Sequence, residues 1–494
     1  MPLKATRSIT SSQAHSHPLA STHLCRLYRG PNAQAAHSSL ATYSWRRWAI
    51  VTNRHATRNK RHSVPLIPTI LLGAIIGGVI GMHVSLGRIH HLNLELPVYG
   101  YCVLLYLAFK LGLAILYRPP ANAGVPPAVV AAIITVHNED PLVFRKCLES
   151  LLAQTRLPQY LTIVDDGSAR THCLQTAYLY RSAFLRRGVS YHVIQHPQNL
   201  GKREGLAAGF RVAWHADIYL CVDSDTVLKH NAVERALSYF TDSRIQAVTG
   251  CVFALNWNAN LLTRLIDLRY VNAFLGERAA YSTLGSMLCA CGSLALYRGH
   301  TVRKYLNDFL SQEFLGNRCT YGDDRRLTYY CLREGRTLLA TDAIAWTMVP
   351  ENMGHFLRQQ LRWSKSFIRE SWCMLTSVRP NRACWWLSLM EITTWGAFTT
   401  ALVYTMVVRP AFTGNISVAA YLAATLLLAY ARSGHYLRAE HPDSNFFSRF
   451  AIFMLAPVYG LIHMVLLLPL RVVALFSLRD NSWGTRTQVE AATT

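Results

Sequence analysis

The sequence predicts an α/β domain with a mainly parallel sheet, inserted into an α-helical transmembrane region. Three observations predict it. From Val129 onward, apolar runs rich in β-branched residues alternate with helical patterns, which is how a parallel sheet covered by helices reads. Long stretches almost free of charge flank that block on both sides. Between them, Asp217-Ile218-Tyr219-Leu220-Cys221-Val222-Asp223-Ser224-Asp225-Thr226 reads as a buried strand ending in two carboxylates one residue apart. The carboxyl ends of parallel strands are where open α/β sheets bind ligands.

The 494 residues suffice for two or three domains. A composition that is 51% apolar, with positive mean hydropathy, points to a membrane. The net charge of +23 is uneven: residues 1–64 carry ten Lys or Arg and no acid, and the first acid is Glu95. Basic segments beside membrane spans follow from the positive-inside rule and from attraction to anionic lipid. No nucleic-acid-binding motif accompanies them, so nucleic acid is not an expected partner, whereas membrane lipid is. None of the twelve cysteines forms a C-x-x-C pair, and only Cys289 and Cys291 stand close. That pattern excludes a disulfide scaffold and a zinc site, and fits buried thiols in a reducing compartment.

In chain order, residues 1–63 read as a basic, disordered cytosolic tail. Residues 64–118 hold two expected spans, Val64 to Gly87 without charge and Leu96 to Tyr117 with Lys110 alone. The prolines 119, 120, 126 and 127 lead into a soluble domain over 119–352. Strands are expected at 129–136, 161–164, 189–194 and 218–222, and a helix over Pro141 to Thr155. Residues 353–384 are basic and amphipathic, suiting helices at a membrane surface. Residues 385–432 hold two more spans, the first containing Glu391. The apolar segment 449–479 contains Pro457 and Pro469, and is expected to break there and lie in the membrane plane. Residues 480–494 would then share the cytosolic side with 119–352. The expectation is a multi-pass protein of the cell membrane with its soluble domain in the cytosol.

Five short motifs carry chemistry. Asp165-Asp166-Gly167-Ser168 follows a strand, and Asp166 can hydrogen-bond a nucleobase edge. Asn199-Leu200-Gly201-Lys202-Arg203-Glu204-Gly205 opens a helix whose amino terminus and Lys202 suit a diphosphate. Asp223 and Asp225 can grip a divalent cation, and share one side if the strand's pleat persists to its tip. In Gly322-Asp323-Asp324-Arg325 one acid can act as a general base. In Gln359-Gln360-Leu361-Arg362-Trp363, Gln359 and Arg362 share a helix face as donors for phosphate, and Trp363 can stack on a sugar. Each alone has an ordinary alternative: a polar turn, a solvated basic loop, acids complementing a helix dipole, a surface helix. It is their joint order between paired apolar stretches that singles out one chemistry.

Taken together the motifs resemble those of processive inverting glycosyltransferases with the GT-A fold, and among these the hyaluronan synthases. The residues that carry the resemblance are Gly322-Asp323-Asp324-Arg325 with Leu327-Thr328, then Gln360-Leu361-Arg362-Trp363-Ser364-Lys365-Ser366-Phe367 with Arg369-Glu370, and Trp483-Gly484-Thr485-Arg486. It runs from about residue 65 to 486. Lys110 and Glu391, the only strong charges inside otherwise apolar helices, are expected to face the bundle interior and to pair or line an exit path, because an unpaired charge there is expensive. The resemblance implies donors UDP-GlcNAc and UDP-GlcA, a nascent polysaccharide acceptor, a Mg2+ or Mn2+ cofactor, and export of the polymer through the protein's own helices. In detail it implies that Asp166 contacts uracil, Lys202 the diphosphate, and Asp223 and Asp225 the nucleotide and its cation. Asp324 would be the base and Asp323 a substrate-binding neighbour. Gln359 and Arg362 would hold the leaving diphosphate and Trp363 the acceptor sugar. Trp483, Thr485 and Arg486 would belong to a mobile loop closing over the nucleotide. His137 stands where relatives commonly have Tyr. A chitin or chitin-oligosaccharide synthase using UDP-GlcNAc alone shares most of these motifs, and a non-catalytic scaffold with a degenerate transferase domain is the non-enzymatic alternative.

Overall fold

The computed structural model describes residues 95–120, 124–404, 408, 411–412, 428–439, 441 and 444–480. The basic tail, the first expected span, most of the fourth, and Trp483, Thr485 and Arg486 lie outside the described residues. Ten strands are assigned: β1 Val130–Val136, β2 Tyr160–Asp165, β3 Ser190–Gln195, β4 Ile218–Asp223, β5 Thr226–Leu228, β6 Ile245–Ala254, β7 Ala295–Arg298, β8 Glu313–Phe314, β9 Asn317–Arg318 and β10 Arg336–Thr347. Eight of them form one sheet in the order β3-β2-β1-β4-β7-β6-β10-β5, and β8 and β9 make a separate hairpin.

The expected parallel sheet is present in two blocks. β3, β2, β1 and β4 run parallel, joined by helices α2 Pro141–Leu152, α3 His172–Arg186 and α4 Lys202–Val212. β7 then inserts antiparallel between β4 and β6, β10 is parallel to β6, and β5 is an antiparallel edge. β1 and β6 are buried at every position, as strands covered on both faces must be. The chain order turns back between β1 and β4, opening the crevice at their carboxyl ends that such sheets use for ligands.

The condition for Asp223 and Asp225 to share a side through the strand's pleat is not met. The strand stops at Asp223, and Ser224 and Asp225 form the turn into β5. The two carboxylates are therefore placed by a turn, not by strand alternation.

The remaining helices of this domain are α5 Ala232–Leu237, α6 Leu261–Val271, α7 Ala279–Thr283, α8 Gly299–Ser311 and α9 Asp323–Glu334. The apolar helix Glu95–Leu116, here α1, ends against them: the Tyr117 hydroxyl donates to the Leu339 carbonyl in β10 at 2.6 Å, and Thr283 Oγ1 to the Leu113 carbonyl at 2.8 Å. Helix α10, Met353–Ser377, is the expected amphipathic helix, and α11 is Ala383–Val403.

Among the described residues one helical run, the 31 residues Phe446–Phe476, is long and apolar enough to cross a membrane. It comprises α12 Phe446–Met454, α13 Ala456–Ile462 and α14 Leu468–Phe476, with a π-helical turn His463–Leu467 before the last. Pro457 and Pro469 do not break it apart, because each sits in the first turn of a new helical segment, where a missing N–H costs nothing. Its two ends rest on the α/β domain. α12 packs on α6, while beyond α14 the Asp480 carbonyl accepts from Lys365 Nζ of α10 at 3.1 Å.

Candidate active site

The site is assembled from the ends of β4 and β10 and the starts of α4, α9 and α10. Asp166, at the end of β2, is buried and uses both carboxylate oxygens locally. Oδ1 accepts from the Leu200 amide at 2.9 Å, with His196 Nδ1 at 2.8 Å, and Oδ2 accepts from the Gly201 amide at 2.8 Å. It thereby fixes the turn that starts α4, where Gly201 has φ +94° and Lys202 is the first helical residue. His137 joins the same edge, with Nδ1 2.8 Å from the Asp166 carbonyl.

Lys202 Nζ donates to Asp223 Oδ1 at 2.6 Å and lies 3.5 Å from Asp323 Oδ2. Ser293 Oγ donates to Asp223 Oδ2 at 3.2 Å. A Cβ on Gly292 would sit 3.1 Å from Asp223 Oδ1 and 3.2 Å from Lys202 Nζ, so the absence of a side chain there lets the pair form. Burial by itself lowers the Lys202 pKa, but the Asp223 and Asp323 carboxylates outweigh it and hold the ammonium above its usual range. Lys202 therefore remains a cation. Asp225 is steadied from the neighbouring strand β10 by Thr347 Oγ1, which donates to its Oδ1 at 2.9 Å, and Ser224 Oγ donates to Glu139 Oε2 at 2.9 Å.

The acid pair opens α9. Gly322 takes φ +77°, and a Cβ there would collide with Ser366 Oγ at 2.4 Å, so this position requires glycine twice over. The preceding Tyr321 carbonyl accepts from Arg369 Nη2 at 2.6 Å and Arg203 Nη2 at 3.1 Å. Asp324 Oδ1 accepts from the Arg325 amide at 2.7 Å, and the Cys289 thiol donates to Oδ2 at 3.3 Å. Burial and the neighbouring Asp323 charge push the Asp324 carboxyl up, against the pull of Arg325 and Lys202. A general base must be deprotonated, so the acid limb of kcat/KM is expected above the ordinary carboxylate range. Asp323→Asn removes the raising charge and moves that limb to lower pH in a pH–rate profile; an unmoved limb would assign it to another group.

Along α10, His355, Gln359, Arg362 and Ser366 line one face of the cavity at helical spacing. Gln359 Oε1 and Ser366 Oγ are buried without a hydrogen-bond partner in the protein. Lining the cavity, both atoms are open to polar groups of a ligand or water. Trp363 is 38% exposed and its ring lies 6.4 Å from that of Tyr270. Lys202, Asp223, Asp225, Asp323, Asp324, Gln359, Arg362 and Trp363 all line one cavity of about 620 Å³. Asp166 does not line it; it acts at one remove, on the loop before Lys202.

A Mg2+ or Mn2+ ion fits the donors present. The carboxylates are hard oxygen ligands, and no group of three or more His, Cys, Asp or Glu is placed to hold a metal among the described residues. Were such a cation bound, Asp225 would hold it more readily than Asp223, which is engaged by Lys202, and phosphate oxygens would complete the shell.

A second cavity, of about 330 Å³, lies between α1, α11 and the Phe446–Phe476 run, and shares Arg269, Glu277, Arg325 and Trp363 with the first. Lys110 Nζ and Glu391 Oε1 form an ion pair of 2.6 Å there, and the hydroxyls of Tyr106 and Tyr281 also donate to Glu391. Breaking one partner of a buried pair is costly. Lys110→Glu and Glu391→Lys are each expected to lose activity, and the double exchange to regain part of it; additive losses in membrane assays would contradict coupling.

The glycosyltransferase-like family 2 model matches residues 126–366, the segment that carries the sheet and all five motifs. Hyaluronan synthase of Streptococcus pyogenes is 37% identical over 395 residues, which is 79% of this chain and 91% of the relative. The chain belongs to the hyaluronan synthase family. This family 2 glycosyltransferase is also 31% identical, over 376 residues, to an N-acetylglucosaminyltransferase of Mesorhizobium japonicum, covering 74% of this chain and 85% of that one. A solved mannosyltransferase of Pyrobaculum calidifontis, in complex with GDP-Man and Mn2+, superimposes with a TM-score of 0.50 at 16% identity, over 82% of this chain and 99% of the other. That likeness bears on the fold: the expected GT-A-type α/β domain is present.

Several residues of the transferase site had no motif to announce them. Thr347, Ser293 and Glu139 reach the D-S-D turn from distant parts of the chain. Cys289 belongs to the one closely spaced cysteine pair, which spacing could dismiss as a metal site but not place beside Asp324. Ten of the twelve cysteines, from Cys147 to Cys384, are free thiols.

Proposed function

We propose that this transferase joins UDP-GlcNAc and UDP-GlcA into hyaluronan at the cytosolic face of the cell membrane and passes the growing polymer outward between its own helices. The observation that carries the reading is the pair of adjoining cavities, one lined by the acids and the other by α1, α11 and the apolar run. The higher identity to the streptococcal synthase than to the N-acetylglucosaminyltransferase supports two donors rather than one. The lining of the second cavity supports an anionic product: Lys110, Arg269, Arg325, Arg432 and Arg471 outnumber Glu277 and Glu391. The contacts at both ends of the Phe446–Phe476 run support an in-plane placement, which keeps residue 480 beside the transferase domain.

In this reading Lys202 and Arg362 grip the diphosphate, with Gln359 supplying a further polar contact. Trp363 stacks on the acceptor sugar, and Asp323 holds Lys202 in place. Asp324 takes the proton of the acceptor hydroxyl as that oxygen attacks the anomeric carbon. The bond from that carbon to the diphosphate oxygen breaks with inversion, and UDP leaves with its charge offset by Lys202 and Arg362. A divalent cation held by Asp225 and Asp223 supplies charge neutralisation for the diphosphate when bound. Trp483, Thr485 and Arg486 are assigned to closure over the nucleotide, and Asp166 to ordering its base-side loop.

Donor omission tests the reading. Purified protein in lipid nanodiscs, given radiolabelled UDP-GlcNAc with or without UDP-GlcA, is expected to make long, hyaluronidase-sensitive polymer only with both. Long homopolymer from UDP-GlcNAc alone would establish the chitin-type alternative, and an absence of UDP release with any donor would establish the scaffold.

A further inference from the structure

The two oxygens of the Asp324 carboxylate meet different donors. Oδ1 accepts from the Arg325 backbone amide at 2.7 Å, whereas Oδ2 accepts from the Cys289 thiol at 3.3 Å. Among the described residues no other side chain hydrogen-bonds this carboxylate. Cys289 lies outside all five motifs, and the chemistry above leaves it without a task.

The thiol is firmly placed. The Cys289 carbonyl accepts from Arg278 Nε at 3.0 Å, and the Cys291 amide donates to Thr249 Oγ1 of β6 at 3.0 Å. Between them the Ala290 amide donates to Thr328 Oγ1 at 2.8 Å, and that hydroxyl donates to the Asp324 carbonyl at 2.6 Å. Thr249 and Thr328 are fully buried. The segment that carries the thiol is thus fastened to the first turn of α9, at the very residue whose carboxylate it meets. Burial and the Asp324 charge push the thiol up to about 12, so it keeps its proton and remains a donor at neutral pH.

A thiol is a weak donor. A hydrogen bond to a carboxylate favours the charged form, and a weaker bond favours it less. Oδ1, held by a backbone N–H, is therefore the less basic oxygen and Oδ2 the more basic one. The thiol takes one lone pair of Oδ2 and leaves a second for a proton, beside the cavity that both residues line.

We propose that Cys289 is a positioning residue that makes Oδ2 of Asp324 the oxygen receiving the acceptor's proton. The inference rests on the reading of Asp324 as the base. The proton leaves the acceptor hydroxyl for the remaining lone pair of Oδ2 while the hydroxyl oxygen bonds the anomeric carbon, and the diphosphate oxygen departs with its electron pair. The thiol keeps its own proton throughout. The other groups acting on this carboxylate are Asp323 and Arg325 of α9, Lys202 of α4, Tyr297 of β7 and the Cys291 thiol. All of them are retained in the Cys289 variants, so a shift in those variants reports the lost or altered donor.

The test is the pH dependence of kcat/KM, read by UDP release from the full chain in nanodiscs, with UDP affinity measured in the presence of Mn2+. Cys289→Ser sets a stronger donor against Oδ2, and the acid limb is expected to move to lower pH. Cys289→Ala removes the donor, and the limb is expected to move to higher pH. In both, kcat on the plateau is expected to fall about three- to tenfold, a part of the roughly 100- to 10,000-fold that a general base supplies. UDP affinity is expected to stay within a few-fold of wild type. Should alanine leave a cavity that unfolds the protein, Cys289→Val fills it without a donor and carries the same upward shift. Limbs that stay in place, or that move the same way with and without a donor, would overturn the proposal. Loss of UDP affinity in both variants would overturn it too, by showing a packing role. Asp323→Asn separates this result from the reading beneath it. A limb that moves with Asp323→Asn but not with the Cys289 variants rejects Cys289 alone, and a limb that no variant moves rejects Asp324 as the base.

Discussion

Asp324→Asn is expected to abolish polymer formation while UDP binding persists. Removing a general base costs a factor of roughly 100 to 10,000 in rate, and the substitution keeps the shape of the side chain and one acceptor oxygen for the Arg325 amide, while its NH2 replaces the oxygen that accepts from the Cys289 thiol. Asparagine cannot take the acceptor's proton at neutral pH. The expected signature is a fall in kcat with the UDP dissociation constant unchanged within a few-fold, measured by UDP release and by calorimetry. Retained synthesis would reject Asp324 as the base. A parallel loss of UDP binding would instead make it part of the nucleotide site.

The second large effect is structural and lies behind the site. Glu370 is 6% exposed and accepts from Arg369 Nε at 2.9 Å and Gln312 Nε2 at 2.9 Å, with Arg326 Nη1 at 3.4 Å. Arg326 continues to Asp308 at 2.7 Å. This network locks α10 onto α9 and thereby sets Arg362 and Trp363 against the acid pair. Burial pushes the Glu370 carboxyl up, but Arg369 and Arg326 outweigh it and hold it below its usual value. Its stabilising contribution is present above the unfolded carboxylate pKa and is lost as pH falls through the lower folded one. Glu370→Ala leaves two buried guanidinium groups short of a counter-charge, a change worth about 3–5 kcal/mol. The expected result is a clear fall in Tm together with loss of transfer; a variant with wild-type Tm would show that α10 is held by packing alone.

Four of the eight strands of the sheet were legible, 129–136, 161–164, 189–194 and 218–222 each matching a strand to within a residue or two; β1, β2 and β4 are buried along almost their whole length and read as continuous apolar runs, whereas β3 is partly exposed. Helix starts were legible at Lys202 and Asp323, where glycine precedes the helix and the functional side chain follows at once. Long-range placement was not legible. Periodicity could state only the condition under which Asp223 and Asp225 share a side; a turn, and a hydroxyl from Thr347, decide their positions instead. The acid of Asp166 was visible, but its use in ordering Leu200 and Gly201 depends on two strands lying side by side. Pro457 and Pro469 mark breaks in an isolated helix, yet here each begins a segment of one run, because the position of a proline within its own turn decides what it costs. The pairing of Lys110 with Glu391 could be anticipated from cost alone, since unpaired charges in apolar helices are expensive.

Trapping the Asp324→Asn protein with UDP-GlcNAc, Mn2+ and a short acceptor, and determining that complex by electron cryomicroscopy, tests the whole arrangement at once. The account predicts the diphosphate between Lys202 and Arg362, the cation on Asp225, and the side chain of residue 324 within about 2.6–3.2 Å of the acceptor hydroxyl. A nucleotide bound elsewhere, or an acceptor hydroxyl facing a different side chain, would contradict it.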